Sequence, residues 1–499
     1  LPSNTTKDAN MSERAINAPI EMAGNIMGNA SENTYLGDQE VLGLLPKTDK
    51  INADELLKAF ETTDPIEPTQ SLVEEARIGH VLEETENQVT IQLKSGEYNI
   101  TKDANGFDVI DMDSFSIKYI TGEPMLPSSI TNVLLPPDVN ISSVKLEVIS
   151  EETRLLDGAY NIRPAPEAKI SGYNDTYESS SRSTDARSIV YMSDTLYPQE
   201  NFILLPYSQM RKWIFVPIQF IPFKYNPVHK TLTLIENATV AISYDLQPSS
   251  NAETSAILND VVMDDLAPGM FINYDESKDS YRAQASTSGA PSATGRYVVI
   301  TTNAIRSGST KLNAFIAHKQ SLGYTVSVVT ETDFGGLTGQ APNHKAEKIR
   351  PWLKNNYVSL GIKYVLLIGN PSPYESTEGD IPMKMCWPRP PQGPEFPDAP
   401  TDSFYADLTG NWNIDSDAEY GEWSDFTSSG GVDFTPEVYV GRIPVYGGDY
   451  TTLDSILQKT IDYETSGSIS WRKNSLLPMA FQDSRPTDGA YLAEQMKDD

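Results

Sequence analysis

Short apolar runs alternate with amphipathic stretches between residues 296 and 369. Three of these runs are rich in β-branched and aliphatic residues and are predicted to be strands, at 297–301, 324–330 and 364–369. Helical spacing of apolar residues connects them over 311–322 and 345–357. Strands this apolar, alternating with helices, indicate a parallel sheet covered on both faces. Ligands bind beyond the carboxyl ends of such strands, so we expect the functional edge near Thr302, Thr330 and Asn370.

The same pattern resumes after an interruption rich in Pro, Asp and aromatic residues over 371–431. Residues 437–442 and 475–481 have the composition of strands, 452–463 has helical spacing, and a further helix is predicted from residue 490. The sequence ends within that helix at Asp499. We therefore expect 296–499 to be an α/β domain that is incomplete at its C-terminus.

The first half of the chain follows a different period. Alternating apolar and polar residues, separated by turn residues, fill 71–247 and predict a mostly antiparallel sandwich or barrel. Residues 1–70 are polar and predict a loosely docked arm. Residues 248–295 show no period and end in a Ser-, Ala- and Gly-rich stretch, which is typical of an exposed linker. The predicted fold class is therefore α+β multidomain, with a β-rich N-terminal domain before the α/β domain.

Charge narrows the classes of partner. Sixty-nine acidic and 38 basic residues give a formal net charge of −31. Such a chain repels phosphate backbones and anionic lipids, which argues against nucleic acid as a partner, and it favours divalent cations. No run of 18 apolar residues occurs, so we expect no transmembrane helix.

An extracellular or cell-surface location is indicated by two features. The sequence begins without methionine or a basic-then-apolar signal, which we interpret as an N-terminus left after signal removal. Seven asparagines stand in glycosylation sequons, namely Asn4, Asn10, Asn29, Asn99, Asn140, Asn174 and Asn237. A sequence rich in Asn, Ser and Thr also produces sequons by chance, and that alternative stays open. The single cysteine excludes an internal disulfide framework.

Several catalytic motifs are absent from the sequence. The sequence contains neither the G-x-G-x-x-G dinucleotide motif nor the Walker lysine loop that binds phosphates. The G-x-S-x-G elbow and the H-E-x-x-H helix are also absent. The four histidines are scattered, and none is near Cys386 in sequence. A thiol nucleophile needs a partner base, so we interpret Cys386 as a small buried hydrophobe.

The segment 411–422 has the ligand spacing of a calcium loop. Oxygen-bearing side chains stand at loop positions 1, 3, 5, 7, 9 and 12, and they are Asn411, Asn413, Asp415, Asp417, Glu419 and Glu422. Hard cations take six to eight oxygens, and the spacing follows the EF-hand. Ser416 stands where an EF-hand has glycine, and no flanking helices are evident. The sequence predicts Ca²⁺ as the cofactor, and the alternative is a solvated acidic loop.

Long stretches of the second half resemble the gingipain-type cysteine peptidases. The matching stretches are 361–369, 400–412, 420–422 and 432–445, where the last reads Val-Asp-Phe-Thr-Pro-Glu-Val-Tyr-Val-Gly-Arg-Ile-Pro-Val. The first half is similar, more weakly, to the family's β-rich propeptide over 122–127, 134–139 and 216–227. The resemblance covers most of 115–499.

The resemblance implies a caspase-like α/β fold of two subdomains. The family's Cys nucleophile and Gly-His-Gly histidine lie in the second subdomain, and an acidic residue of the first orients the histidine. This chain matches the propeptide and the first subdomain only. Asp483, just after the strand predicted at 475–481, is the position that matches the acidic residue. A helix N-cap is the alternative role for Asp483.

This assignment predicts a piece of a larger enzyme. We expect a secreted cysteine endopeptidase zymogen that acts on proteins or peptides, with the catalytic His and Cys downstream of residue 499. A downstream segment, in cis or as a second chain, is then the expected partner, and the present chain alone is expected to be inactive. The rival hypothesis is a non-enzymatic surface or adhesion protein that keeps the scaffold and the calcium loop.

Overall fold

A computed structural model describes residues 78–118, 120, 122–165, 189–247, 257–281, 295–339, 344–388 and 399–467. The strands of the first half are β1 Gly79–Thr85, β2 Gln88–Lys94, β3 Tyr98–Lys102, β4 Asp108–Met112, β5 Ser116–Lys118, β6 Leu126–Leu134, β7 Val139–Leu155, β8 Phe202–Leu204, β9 Ser208–Met210, β10 Trp213–Phe220, β11 Phe223–Asn226 and β12 Thr231–Leu246. The strands of the second half are β13 Arg296–Ile300, β14 Thr325–Val329, β15 Ile362–Gly369, β16 Lys384–Cys386, β17 Ala399–Thr401 and β18 Tyr439–Pro444.

Helices are concentrated after residue 260. The α-helices are α1 Ala267–Met270, α2 Tyr274–Ser277, α3 Asn303–Gly308, α4 Leu312–Ser321, α5 Glu331–Phe334, α6 Lys345–Asn356, α7 Ser403–Ala406, α8 Trp423–Thr427 and α9 Tyr450–Thr465. Short 3₁₀ helices lie at Lys278–Tyr281 and Glu375–Thr377. Among the helices that the structure describes, none combines the length and apolar content needed to cross a bilayer.

Two five-stranded antiparallel sheets form the body of the β-rich first half, and β3 and β4 pair in a separate antiparallel hairpin. One sheet has the order β1-β2-β12-β11 with β7 also paired to β12, and the other has the order β5-β6-β10-β8 with β9 paired to β10. Alternate residues of both sheets meet in one core, where Val89, Ile91 and Val240 pack with Ile218 and Phe220. This packing of two sheets across a shared core confirms the predicted β-rich domain in its sandwich form.

The segment 257–281 differs from the linker predicted over 248–295. Val262, Phe271 and Tyr281 are buried against Trp213 of β10. The Tyr281 hydroxyl donates to the carbonyl oxygen of Leu135 and accepts from the amide of Ile214 at 3.1 Å. Isolated aromatic anchors therefore hold this segment on the sandwich, and such anchors leave no periodic pattern in the sequence.

A four-stranded parallel sheet forms the centre of the second half. Its order is β14-β13-β15-β18, and every neighbouring pair is parallel. The prediction of strands at 297–301, 324–330 and 364–369 is confirmed within one or two residues, and β18 corresponds to the strand predicted at 437–442. The predicted strand 475–481, the helix from residue 490, Asp483 and the arm 1–70 lie outside the described residues.

Both faces of this sheet are covered, as the continuous apolar strands predicted. On one face Leu367 packs with Leu353 of α6 and with Phe404 and Trp412 of the 371–431 segment. On the other face Leu366 and Ile368 pack with Phe315 of α4 and Leu453 of α9. The 371–431 segment is thus part of the core, and it brings the 411–422 loop to the first of these faces.

Candidate functional site

The structure brings three of the predicted calcium ligands together. One carboxylate oxygen from each of Asp415, Asp417 and Glu422 lies within 4.8 Å of the other two. Beside them Asn413 Oδ1 and Glu422 Oε2 are buried without a hydrogen-bond partner. A buried oxygen without a donor costs free energy, and a hard cation is the kind of partner that such oxygens take. The donor set consists of oxygens alone, as a hard cation requires.

The backbone of the loop makes the turn that a glycine makes in an EF-hand. Ser416, at loop position 6, has φ of +63°, in the left-handed region that few residues other than glycine occupy. Helix α8 begins directly after Glu422. Asp425 in its first turn is fully buried, and its two oxygens accept from the amides of Ile414 at 2.9 Å and Glu422 at 3.0 Å. Asp425 therefore ties the start of the loop to its end.

Two of the predicted ligands are placed differently. Glu419 lies outside the group of three carboxylates, and its amide donates to Asp417 Oδ1 at 2.7 Å. Asn411 accepts the amide of Asn413 on Oδ1 at 3.1 Å, which forms a local turn. The side chain of Asn413 also donates from Nδ2 to the carbonyl oxygen of Asp417 at 2.8 Å, which leaves its Oδ1 facing no donor.

Negative charge is concentrated at Glu422. Burial, together with the carboxylates of Asp417, Asp415, Glu419 and Asp425, raises the pKa of Glu422 to about 7 from an ordinary 4.5. The loop therefore carries more negative charge than it can accommodate at neutral pH. A bound divalent cation would reverse this effect, since it favours the ionised form of its ligands.

A second cluster, which sequence reasoning missed, supports the entry to the loop. Asp407 and Glu437 are buried, and the Asp407 carboxylate accepts from the indole of Trp412 and the amide of Gly410, both at 2.7 Å. Glu437 accepts the amide of Leu408 at 2.6 Å, and burial with the neighbouring Asp407 charge raises its pKa well above the ordinary value. These contacts fix the chain that leads into residue 411.

The polar residues at the carboxyl edge of the sheet serve as caps. Thr302 accepts the amide of Ile305 at 3.1 Å at the start of α3, and Thr330 forms a capping box at the start of α5. Asn370 accepts the amide of Ser372 at 3.1 Å. In the part of the chain that the structure describes, these three residues shape the edge and bring no nucleophile to it.

The single thiol is a core residue. Cys386 is 3% exposed, and burial raises the pKa of its thiol to about 12. Three histidines each contact a carboxylate instead of the thiol, in the pairs His229–Asp194, His318–Glu464 and His344–Glu375. Cys386 therefore has no thiolate to offer at neutral pH, in agreement with its interpretation as a buried hydrophobe.

Comparisons with known proteins match both halves. Residues 290–498 match the profile of peptidase family C25, and residues 79–281 match that family's propeptide. Among solved structures, a chain from a complex of the pro- and mature domains of RgpB from Porphyromonas gingivalis aligns over 97% of its length with 40% of this chain, at 20% identity and a TM-score of 0.30. A structure of gingipain K from Porphyromonas gingivalis, concerned with zymogenic latency, aligns over 98% of its length with 37% of this chain, at 13% identity and a TM-score of 0.28. No curated protein matches the sequence.

Proposed function

Because this chain belongs to the gingipain-type cysteine peptidases, peptidase family C25, and carries the family's propeptide ahead of its peptidase region, we propose that it is the N-terminal portion of a secreted endopeptidase zymogen. Its substrates are proteins or peptides. The catalytic histidine and cysteine lie downstream of residue 499, and the 499-residue chain alone is inactive.

The observation that carries this proposal is the state of the only cysteine. Thiol peptidases need a thiolate within hydrogen-bond reach of a base, whereas Cys386 is buried with its pKa raised to about 12. Its Sγ lies 3.8 Å from the carbonyl oxygen of Lys384, and no histidine side chain joins this contact among the described residues. The nucleophile of a cysteine peptidase must then come from another segment.

In the complete enzyme the thiolate attacks the scissile carbonyl carbon, and histidine acts first as general base and then as general acid. Asp483 is proposed to orient that histidine, because it follows a predicted strand and would stand at the carboxyl edge of the sheet. The residues described here supply the scaffold of that edge. The parallel sheet and its two covered faces hold it rigid, as a positioned catalytic group requires.

The test compares the 499-residue chain with a chain extended by its downstream segment, each cut at a site-specific protease sequence inserted after Gly289 and separated from the prodomain, using fluorescently labelled casein as the probe. We expect hydrolysis from the extended chain only. Asp483→Ala should lower kcat by roughly 10²–10⁴-fold, the range for loss of the residue that orients a catalytic histidine. Cys386→Ala in the extended chain is the matched control and should leave kcat unchanged.

If the 499-residue chain hydrolyses casein and Cys386→Ala abolishes this activity, then Cys386 is the nucleophile and the proposal assigns the active site to the wrong part of the protein. An extended chain that folds and still fails to hydrolyse casein after the prodomain has been removed would instead favour the rival function, a surface or adhesion protein that keeps the peptidase scaffold.

We also propose that the 411–422 loop binds Ca²⁺, with Asn413, Asp415, Asp417 and Glu422 as ligands. The grouped carboxylates and the two buried oxygens without donors support this proposal. An extracellular location is consistent with both proposals, because calcium there reaches concentrations that suit weak sites. Isothermal calorimetry with CaCl₂ should show binding that is lost in Asp415→Ala. If both proteins bind calcium equally, the 411–422 loop is an acidic loop and not the calcium site.

A further inference from the structure

The tip of one prodomain hairpin carries a fully buried arginine. Strands β9 and β10 pair up to Met210 and Trp213, so Arg211 and Lys212 form the turn between them. Arg211 is 1% exposed and has φ of +56°. A left-handed backbone costs free energy for any residue with a side chain, and such strain is held in place by the surroundings at sites with a role.

The guanidinium of Arg211 is held by acceptors from two regions of the chain. Nε donates to Asp260 Oδ2 at 2.6 Å, and Nη2 lies 2.5 Å from the same oxygen. Nη1 donates to the carbonyl oxygens of Ile362 at 2.9 Å and Glu437 at 2.8 Å, and Nη2 donates to that of Tyr357 at 3.1 Å. The guanidinium carbon also lies 5.1 Å from the centre of the Tyr357 ring. Every N–H of the group therefore has an acceptor.

The positive charge of the Arg211 guanidinium is neutralised by Asp260, a residue of the same propeptide region. Asp260 lies within the propeptide match at 79–281, while the three carbonyls belong to the peptidase match at 290–498. The prodomain thus brings an ion pair, and the peptidase region supplies only neutral acceptors and an aromatic face. We propose that the Arg211–Asp260 pair is the element by which the prodomain recognises and holds the peptidase region.

The acceptors form a socket at the amino edge of the parallel sheet. Ile362 is the first residue of β15, Glu437 stands two residues before β18, and Tyr357 follows α6. The carboxyl edge, where ligands bind in such sheets, is at the far end of β15. Eight residues of strand place the two edges roughly 23 Å apart. The pair therefore acts away from the catalytic edge.

Among the described residues, the contacts around this pair include no apolar core that spans the two regions. Each apolar cluster in the described part of the chain lies wholly before residue 290 or wholly after it. The neighbouring contacts between the two regions are polar as well. The amide of Gln209 donates to Asp433 Oδ2 at 2.7 Å, and Lys363 Nζ lies 3.6 Å from Asp265 Oδ1. In an interface without an apolar core, a fully desolvated arginine with five acceptor contacts has the properties of a hot spot.

The test uses the full chain with a site-specific protease sequence inserted after Gly289 and a tag at the C-terminus. After cutting, the tagged half is immobilised and release of the prodomain is followed by interferometry. The wild-type halves should stay together, and Arg211→Lys should release the prodomain at least about tenfold faster. Lysine keeps the charge beside Asp260 and loses the planar fork. The double variant Arg211→Met with Asp260→Asn should release it at least about 30-fold faster.

Arg154→Gln is the matched control, since Arg154 pairs with Glu236 on the exposed surface of the prodomain. It should leave the release rate unchanged. Thermal unfolding of each released prodomain shows whether a variant is folded, and Arg211→Lys is expected to melt as wild type does. The proposal would be overturned if Arg211→Lys and the double variant both released the prodomain at the wild-type rate. It would also be overturned if the wild-type halves separated immediately after cutting. The assay measures association, so its result does not depend on where the catalytic residues lie.

Discussion

Substitution of Glu422 by glutamine should change the stability of the chain in opposite directions with and without calcium. In the calcium-free loop the pKa of Glu422 is about 7, against an ordinary 4.5. That gap corresponds to about 3 kcal/mol of unfavourable folding free energy at pH 8. Because the side chain is partly exposed, screening by solvent reduces the figure to about 1–2 kcal/mol. Glu422→Gln removes this term and should stabilise the calcium-free protein by that amount.

The pH dependence follows from the sign of the shift. The folded pKa lies above the unfolded one, so the folded state binds the extra proton between about pH 7 and 4.5, and the cost is complete only above pH 7. The advantage of Glu422→Gln should therefore be largest at pH 8 and vanish towards pH 4.5. If the loop binds calcium as proposed, calcium at 100 times its Kd stabilises the wild type by about 2.7 kcal/mol. Because Glu422→Gln lacks the charged ligand, we expect the wild type to be the more stable of the two proteins in the presence of calcium.

Calorimetric unfolding at pH 8, with EDTA and then with CaCl₂, measures both effects. For a region of about 200 residues, 1–2 kcal/mol shifts the transition by about 2–8 °C. Asp380→Asn is a suitable control, because Asp380 is exposed in the same 371–431 segment and its substitution removes the same charge. If Glu422→Gln and Asp380→Asn behave alike in both buffers, Glu422 is an ordinary solvated carboxylate and the reasoning fails.

Two further predictions concern the core and the linker. Leu367→Ala should destabilise the peptidase region by about 3–5 kcal/mol in urea denaturation, since Leu367 is fully buried. Leu322→Ala is the control, because Leu322 is half exposed. Equal losses of stability in the two variants would contradict the assigned core. Limited trypsin digestion should cut first between 276 and 296, after Arg282, because Lys278 adjoins the buried Tyr281 and Arg296 begins β13. First cuts within 79–247 would contradict a folded prodomain.

The elements that could be predicted from sequence are those with a repeating physical signal. The strands at 297–301 and 364–369 are apolar without interruption, because helices cover the sheet on both faces. The grouping of Asp415, Asp417 and Glu422 follows from alternation along a loop. Asp425 was missed although it carried a signal, since Glu422 and Asp425 have the spacing of a capping box.

Other features leave no pattern to find. Ser416 adopts the left-handed turn that its residue type disfavours, so the absence of glycine at loop position 6 was a poor guide to the backbone. The segment 257–281 is held by single aromatic residues such as Phe271, which are too far apart to form a period. Arg211 binds three main-chain carbonyls. Every residue has a carbonyl, so no sequence motif marks such a socket.

The two edges of the parallel sheet are completed by different residues. The 371–431 segment leaves β15 at the carboxyl edge, packs Phe404 and Trp412 on one face, and returns through Glu437 to the amino edge before β18. At the amino edge the carbonyl oxygens of Ile362 and Glu437 are satisfied by Arg211 of the prodomain. At the carboxyl edge the described residues supply caps and no nucleophile. Under the proposed function the downstream segment would complete the carboxyl edge, and we then expect substitutions at Arg211 to alter docking of the prodomain without altering catalysis.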